Sequence, residues 1–515
     1  MTRALQSYSQ DRWHGGSGER VSLADAATGS PVATIHRTGP DAAAMLRYAR
    51  TTGGPALRAL TFTERAAILK ALARYLSGHV AEFAVLSALT GATRRDTAVD
   101  VDGGIATLAV YASKAARELP DARVLPDGPA EPLGKGGTFA GRHVRTPRLG
   151  AAVQVNAFNF PVWGMLEKFA PAFLAGMPSV VKPASQTAYL TELVVRRIIE
   201  SGMLPEGSLS LLCGGPGGLL DSLVSQDTLS FTGSAVTALA LRTHPAVAGQ
   251  AVAFNAEADS LNCSVLGPDV TAGDPEFNLY VDQLVTEMTV KAGQKCTAIR
   301  RALVPAALAD AVTSAVSAAL AAVVVGHPAS LDTTMGPLAS LAQREEVRAA
   351  VAKLAAAGRI AHGHPDAVQV HGADARRGAF LSPILLRCDD NSAPAPHEVE
   401  AFGPVATVIG YDGIDEAVAL AGRGDGSLAG SIITRDPDVA SRLVAGLAPW
   451  HGRLLVLNRD DAAESTGHGT AMPQLLHGGP GRAGGGAELG GLRALDHYLQ
   501  RTAIQGHPDL LAALT

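Results

Sequence analysis

The sequence predicts an α/β protein with two parallel-sheet lobes and a small extended arm. Three observations carry that reading. From residue 149 onward, short β-branched runs alternate with helical stretches, the pattern of β-α-β units that cover both faces of a parallel sheet. Composition agrees: 47% of the 515 residues are hydrophobic, 4% are aromatic and 56 are glycine, which suits small-residue helices joined by tight loops. A Pro- and Gly-rich stretch at 121–148 breaks the pattern with short β-like pieces, as an extended hairpin or arm does.

In chain order, residues 57–120 read as helices. Thr61 with Glu64 forms a capping box ahead of the apolar stripe Ile68, Leu69, Leu72 and Leu76, and Gly78 ends that helix. Strands are expected at Ala151–Val155, Ser179–Val181, Leu209–Leu212 and Thr228–Phe231. Helices are expected between them at Met165–Gly176, Thr187–Gly202 and Leu219–Ser225. A second alternating series runs from 262 to about 470 and includes Ile299–Val304, Val405–Ile409 and Ser431–Thr434. His497–Ile504 reads as a strand that pairs outside both lobes.

Charge and cysteine usage exclude several classes. Net charge is -5, and no basic run exceeds a doublet such as Arg94-Arg95, which argues against a nucleic-acid protein. The four cysteines, Cys213, Cys263, Cys296 and Cys388, form no C-x-x-C, so neither a zinc ribbon nor a disulfide framework is expected. No metal is expected. The N-terminus lacks the apolar core of a signal peptide, and the weakly polar stretch Ala311–Gly326 is too short to span a bilayer. A cytoplasmic protein is expected.

Chemistry-bearing residues stand at strand ends and in polar loops. Cys296 lies in Lys291-Ala-Gly-Gln-Lys-Cys296-Thr, and Lys295 beside it makes a low-pKa thiolate one reading and an ordinary thiol another. Glu257 follows the apolar run Ala251–Phe254; it is either a site carboxylate or a solvated loop acid. Asn159, before Phe160-Pro161, offers an amide to an oxyanion or caps a turn. Lys182 and the loop Thr232-Gly233-Ser234 end two other strands, where phosphates and ribose hydroxyls bind. Glu400 and Phe402 flank a Gly-Pro turn.

Taken in order, N-F-P, V-V-K-P-A, F-T-G-S, the Glu, G-Q-K-C and E-x-F-G-P-V resemble the aldehyde dehydrogenase superfamily over essentially the whole chain. The resemblance implies its fold: a Rossmann-like cofactor domain (1–124 and 149–258, with 476–494 packing on it), an α/β catalytic domain (259–475) and a β oligomerisation arm (125–148 and 495–515). It implies Cys296 as nucleophile, Asn159 as oxyanion donor and Glu257 as base, with Asp259 a minor competitor. Lys182, Ser185, Thr232, Gly233, Ser234, Glu400 and Phe402 then match the cofactor site. Members that prefer NAD carry a Glu where this chain has Ser185, so NADP is the expected cofactor. Asn255–Asn262, Glu167-Lys168 and His477–Gly486 are similar to a subgroup acting on CoA-linked semialdehydes. That subgroup implies a proton relay through Glu167, Lys168 and Glu488, for which surface ion pairs are the plainer reading. Arg300 and Arg301 are candidates for gripping the anionic carrier, with core-edge ion pairs as the alternative. A CoA-acylating enzyme and a general medium-chain aldehyde dehydrogenase are the rival activities. The chain is expected to be a stand-alone dehydrogenase that forms a homodimer or a dimer of dimers.

Overall fold

A computed structural model describes residues 3–513; positions 1–2 and 514–515 of the expected cofactor domain and arm lie outside the described residues. The first sheet contains Ser7–Ser9 (β1), Arg12–His14 (β2), Ala152–Val155 (β3), Ser179–Lys182 (β4), Leu209–Leu211 (β5), Thr228–Thr232 (β6) and Ala253–Glu257 (β7). Their order is β7-β6-β3-β4-β5-β1-β2. The five strands from β3 to β7 are mutually parallel, and the N-terminal hairpin β1-β2 extends the sheet antiparallel from β5. The chain proceeds from β3 to β4 and β5 on one side, then returns to β6 and β7 on the other. A crevice therefore opens beyond the C-terminal ends of β3 and β6, the place where open α/β sheets take ligands.

The second sheet contains Cys263–Leu266 (β8), Arg301–Pro305 (β9), Arg359–His362 (β10), Ile384–Cys388 (β11), Val405–Tyr411 (β12), Ser427–Ile433 (β13) and His451–Leu457 (β14). Its order is β10-β11-β12-β9-β8-β13-β14, with only the β10–β11 pair antiparallel. The strands buried on both faces, such as Cys263–Leu266 and Ser427–Ile433, read as continuous apolar or small-residue runs rather than alternating ones.

The helix Phe62–Ser77 forms as its sequence dictates. The Thr61 hydroxyl accepts from the Glu64 N–H, the Glu64 carboxylate accepts from the Thr61 N–H, and Gly78 caps the far end. Trp163–Ala175 differs in kind, because every residue from Met165 to Ala175 is buried. Gly176 ends it at φ 86, where an added Cβ would come within 3.1 Å of the Arg65 guanidinium. This central helix carries Glu167 and Lys168, so its burial sets their electrostatics. Leu219–Ser225 forms successive turns instead of the expected helix. Asp227 accepts the Val224 N–H at 2.8 Å, and short bonds such as Leu219 N–H to Pro216 O replace the helical ladder.

Residues 125–147 and the C-terminus meet in a third sheet. Ala140–Pro147 lies between Leu125–Pro132 and Leu499–Gly506, antiparallel to both, and pairs with the latter from Pro147↔Leu499 to Ala140↔Gly506. Near the end of the chain, Leu476–Gly478 and Ala487–Leu489 form a small hairpin. It docks on the first lobe through Ala258 N–H to Ala483 O at 3.0 Å and Ala487 N–H to Asn255 Oδ1 at 2.8 Å. Among the described residues, no helix is long and apolar enough to cross a membrane.

Candidate active site

Cys296 sits in a loop held from four directions. After the helix Pro275–Thr289, Lys291, Ala292 and Gly293 take left-handed conformations at φ 56, 51 and 66. For the two non-glycines that costs roughly 1–2 kcal/mol each. A Cβ at Gly293 would lie 2.1 Å from Gly403 O, so the backbones pass in direct contact. The strained turn is fixed by buried polar side chains. Asn262 donates to Cys296 O at 2.8 Å and to Ala298 O at 2.9 Å. Arg300 donates to Gly403 O, Gly293 O and Lys295 O, and Thr297 donates to Gly469 O. Asn159 donates one amide N–H to Gln294 O at 3.0 Å, which leaves its second for the cavity it lines with Cys296.

This arrangement corrects two expectations. Lys295 does not act on the thiol as a free cation, because both Glu287 oxygens hold its Nζ at 2.8 Å. Burial pushes the Cys296 thiol well up, and the neighbouring Glu257 carboxylate pushes it further. Arg300 and Arg301 face no solvent. Both are buried and donate mainly to backbone carbonyls, with Arg300 Nε 3.7 Å from Glu400 as the ion-pair alternative has it and Arg301 3.1 Å from His397, so neither meets a carrier at an entrance.

Glu257 ends β7 beside the Cys296 thiol, with side-chain heteroatoms of Glu257, Cys296 and His477 within 4.8 Å of one another, and pairs with His477 Nε2 at 3.1 Å. Burial alone would raise its pKa, but His477 and Lys168 outweigh burial and hold the carboxyl down near about 2. Behind it, Lys168 Nζ lies 3.0 Å from Glu167 Oε1 and 2.9 Å from Glu488 Oε2. Asn255 donates to Glu488 at 3.2 Å. The plainer reading of surface ion pairs is thereby overturned, since Glu167, Lys168 and Glu488 are all buried. Burial raises the Glu167 pKa to about 7 against the pull of Lys168. The Lys168 ammonium stays charged despite burial because Glu167, Glu488 and Glu257 surround it. A cavity of about 30 Å³ touches Asn159, Glu167, Glu257, Cys296 and His477, room for one or two waters.

Two larger cavities meet at Cys296. The first, about 570 Å³, fills the crevice between β3 and β6 and is lined by Asn159, Lys182, Thr232, Gly233, Ser234, Glu257, Glu400 and Phe402. Ser185 opens a short turn, Ser185–Thr187, whose Gln186 lines the same cavity. Ser234 caps the helix Ala235–Arg242, accepting from Thr237 N–H, while Asp259 takes the Ala235 N–H at 2.8 Å. Asp259 is thus engaged in helix capping rather than paired with Cys296. A Cβ at Gly233 would strike the Phe231 ring at 2.5 Å. Lys182 donates to Pro183 O, and burial lowers its pKa. Glu400 accepts from Ser260 N–H at 3.2 Å, and burial raises its pKa to about 7 despite Arg300. Phe402 stands edge-on to Phe158 with centroids 5.9 Å apart. Thr232 Oγ1 is buried without a hydrogen-bond partner among the described residues, and Glu400 Oε1 has only the Arg300 Nε at 3.7 Å, which fits a cavity whose occupant supplies hydroxyl groups.

The second cavity, about 460 Å³, approaches Cys296 from the other side. Phe160, Trp163, Val99, Val110, Val290 and Met472 make its walls largely apolar, and exposed Arg95 stands on its rim. Sequence reasoning assigned no role to His477, although it opens the glycine-rich run His477–Gly486. Asn255, Asn262 and Gln294, which hold the Cys296 loop and the Glu488 hairpin, stood only inside motifs and were given no role of their own, because each gains its meaning from contacts distant in sequence.

Comparisons with known proteins agree with this geometry. Residues 13–504 match the family model described as "Aldehyde dehydrogenase family". The chain is 46% identical to the 3,4-dehydroadipyl-CoA semialdehyde dehydrogenase of Aromatoleum evansii over 478 residues, covering 92% of this chain and 93% of that protein. It is 48% identical to Protein MaoC of Klebsiella aerogenes over 183 residues, covering 35% of this chain and 52% of that protein. The fold matches that of betaine aldehyde dehydrogenase from Staphylococcus aureus in complex with NAD+, with a TM-score of 0.84 at 23% identity, covering 98% of this chain and 95% of that one. PnpE from Pseudomonas sp. WBC-3 matches equally well, with a TM-score of 0.84 at 22% identity, covering 98% of both chains. The sheets, the crevice and these matches lead to one assignment: the chain belongs to the aldehyde dehydrogenase family, nicotinamide-dependent oxidoreductases acting on the aldehyde group.

Proposed function

We propose that this enzyme oxidises a CoA-linked semialdehyde, of the 3,4-dehydroadipyl-CoA semialdehyde kind, to the carboxylic acid with NADP. The observation that carries the reading is the position of Cys296 where the crevice cavity meets an apolar cavity rimmed by Arg95. The substrate class rests on likeness to the Aromatoleum evansii protein. In this reading Cys296 attacks the aldehyde carbon while the second Asn159 N–H and the Cys296 N–H receive the oxyanion. When bound, the nicotinamide cofactor accepts the hydride that leaves the thiohemiacetal. Glu257 takes the thiol proton and later a proton from the water that hydrolyses the thioester. Glu167, Lys168 and Glu488 carry the thiol proton away, which frees Glu257 to take the water proton. Lys182, Ser185, Thr232, Gly233, Ser234, Glu400 and Phe402 hold the cofactor. The absence of a carboxylate at Ser185 removes repulsion of a 2′-phosphate.

The domain division follows the same reading. Residues 1–124 and 149–258, with 476–494, bind cofactor; 259–475 carry the nucleophile. The arm, 125–148 and 495–515, joins copies into a homodimer or dimer of dimers. The test compares kcat/KM for a six-carbon CoA-linked semialdehyde, acetaldehyde and benzaldehyde, each with NADP+ and NAD+. The CoA semialdehyde with NADP+ is expected to lead. A free aldehyde that matches it would overturn the substrate assignment, and equal efficiency with NAD+ would overturn the cofactor assignment.

A further inference from the structure

We propose that His477 is a catalytic residue, the third member of a Cys296–His477–Glu257 constellation in which the imidazole steadies the thiolate that attacks the aldehyde. The inference rests on the reading of Cys296 as nucleophile and Glu257 as base. His477 Nε2 lies 3.1 Å from Glu257 Oε2 and 3.9 Å from Cys296 Sγ, so one ring nitrogen bridges the two groups that must exchange a proton. His477 lines both the apolar cavity and the small cavity beside Glu257, so it borders the space a substrate carbon enters.

The fold fixes this placement. His477 is the middle residue of Leu476–Gly478 and pairs with Glu488 across the hairpin. Directly paired residues of an antiparallel ladder project from the same face. One hairpin therefore delivers His477 to the nucleophile and Glu488 to Lys168. Gly478 at φ 149 packs against the Gly486 carbonyl, where a Cβ would lie at 2.1 Å, so the hairpin closes too tightly for register to slip.

Charge gives the imidazole its task. A thiolate here is opposed by burial, by Glu257 and by Glu167 and favoured by Lys295, whose charge Glu287 partly offsets at 2.8 Å. The groups facing His477 are Glu257, Cys296, Glu167 and Arg453. Burial and Arg453 disfavour its protonation, but Glu257, bonded directly to it, and Glu167 outweigh them and raise its pKa. Its Nδ1 is buried with no hydrogen-bond partner among the described residues, so Glu257 at Nε2 is the contact that holds the ring. In the attack, the thiol proton passes to Glu257, the sulfur pair forms the S–C bond, and the carbonyl π pair moves to oxygen. The imidazolium keeps its own protons throughout and offsets the negative charge that moves from Glu257 to sulfur and oxygen. When hydrolysis later expels the thiolate, Glu257 returns a proton to it.

The test uses His477→Gln, which keeps a donor but cannot become cationic, and His477→Phe. Cys296 alkylation by iodoacetamide is followed across a pH range from about 6 to about 9.5, alongside the pre-steady-state burst of reduced cofactor. Both variants should raise the apparent thiol pKa by one unit or more, slowing alkylation and the burst about 10- to 100-fold at neutral pH, with partial recovery at high pH. Loss of turnover with an unchanged alkylation profile in folded His477→Gln means a structural role only and overturns the proposal. So does a burst within about twofold of the parent enzyme. Cys296→Ala, run in parallel, reports separately on the nucleophile: turnover that survives it sinks the underlying reading whatever His477 does.

Discussion

Replacing Lys168 by Met isolates the electrostatics of the buried cluster, and its consequence follows from the structure. Lys168 is 2% exposed and lies 3.0 Å from Glu167 and 2.9 Å from Glu488. Oxygens of Glu167, Glu257 and Glu488 all lie within 4.8 Å of one another. At that separation, with an effective dielectric of about 20, each ionised pair repels by about 3.5 kcal/mol. Removing Lys168, the cation in contact with both Glu167 and Glu488, therefore costs about 3–5 kcal/mol of stability, the usual penalty for orphaning a buried charge. Part of the cost depends on pH. Glu167 already titrates near about 7 in the parent enzyme, above its unfolded value, because burial raises it while Lys168 pulls it down. Without Lys168 it rises further. For an acid with a raised folded pKa, the folded state binds more protons than the unfolded one between the two pKa values, so stability falls as pH rises through that window. The parent completes this loss near neutral pH, whereas the variant continues to lose about 1.4 kcal/mol per pH unit above it. Guanidinium unfolding of both proteins at about pH 6.5 and about pH 8.5 should show a gap that widens by about 2–3 kcal/mol at the higher pH. A gap of equal size at both pH values would refute the account of Lys168 as the cation that keeps this cluster ionised.

The remaining predictions concern function. Glu257→Gln should slow deacylation more than acylation, so mass spectrometry should detect an acyl adduct on Cys296; an unchanged steady-state rate would remove Glu257 from the base role. Cys296→Ala should abolish turnover yet retain cofactor binding by fluorescence titration, while Cys213, Cys263 and Cys388 tolerate Ser with catalysis intact. Ser185→Glu should shift the kcat/KM ratio toward NAD+ by about tenfold or more, through charge repulsion of the 2′-phosphate. Arg95→Glu on the cavity rim should raise KM for a CoA-linked semialdehyde and leave that for a short free aldehyde unchanged; equal effects on both would detach Arg95 from carrier recognition.

What the sequence disclosed, and what it concealed, divides along contact distance. Thr61, Glu64 and Gly78 fix a helix through bonds spanning a few residues, and the structure forms that helix as their spacing dictates. The strands Ser179–Lys182 and Thr228–Thr232 are apolar runs bounded by polar strand ends, so both they and the crevice beside them follow from pattern alone. Leu219–Ser225 failed because Asp227 competes locally for the Val224 N–H, a bond that apolar periodicity does not encode. Lys295 beside Cys296 invited a local electrostatic argument, yet its charge is claimed by Glu287 one helix away. Glu167-Lys168 looked like a surface pair because adjacency in sequence says nothing about the all-round burial of its helix.

His477 shows the same limit most sharply. A lone histidine ahead of a glycine-rich run carries no signal, since its partners Glu257 and Cys296 lie about two hundred residues earlier. What was available was the pair His477 and Glu488, joined by a run of glycines able to make a tight hairpin. Two titratable residues facing one way on one hairpin must either both reach solvent or both enter a polar interior. The second holds here, because Asn255 on β7 accepts the Ala487 N–H and donates to Glu488, locking the hairpin onto the strand that ends in Glu257. Asn255 thus links backbone register to side-chain chemistry: a shift of the hairpin by one residue would turn both His477 and Glu488 away from Lys168 and Cys296 together.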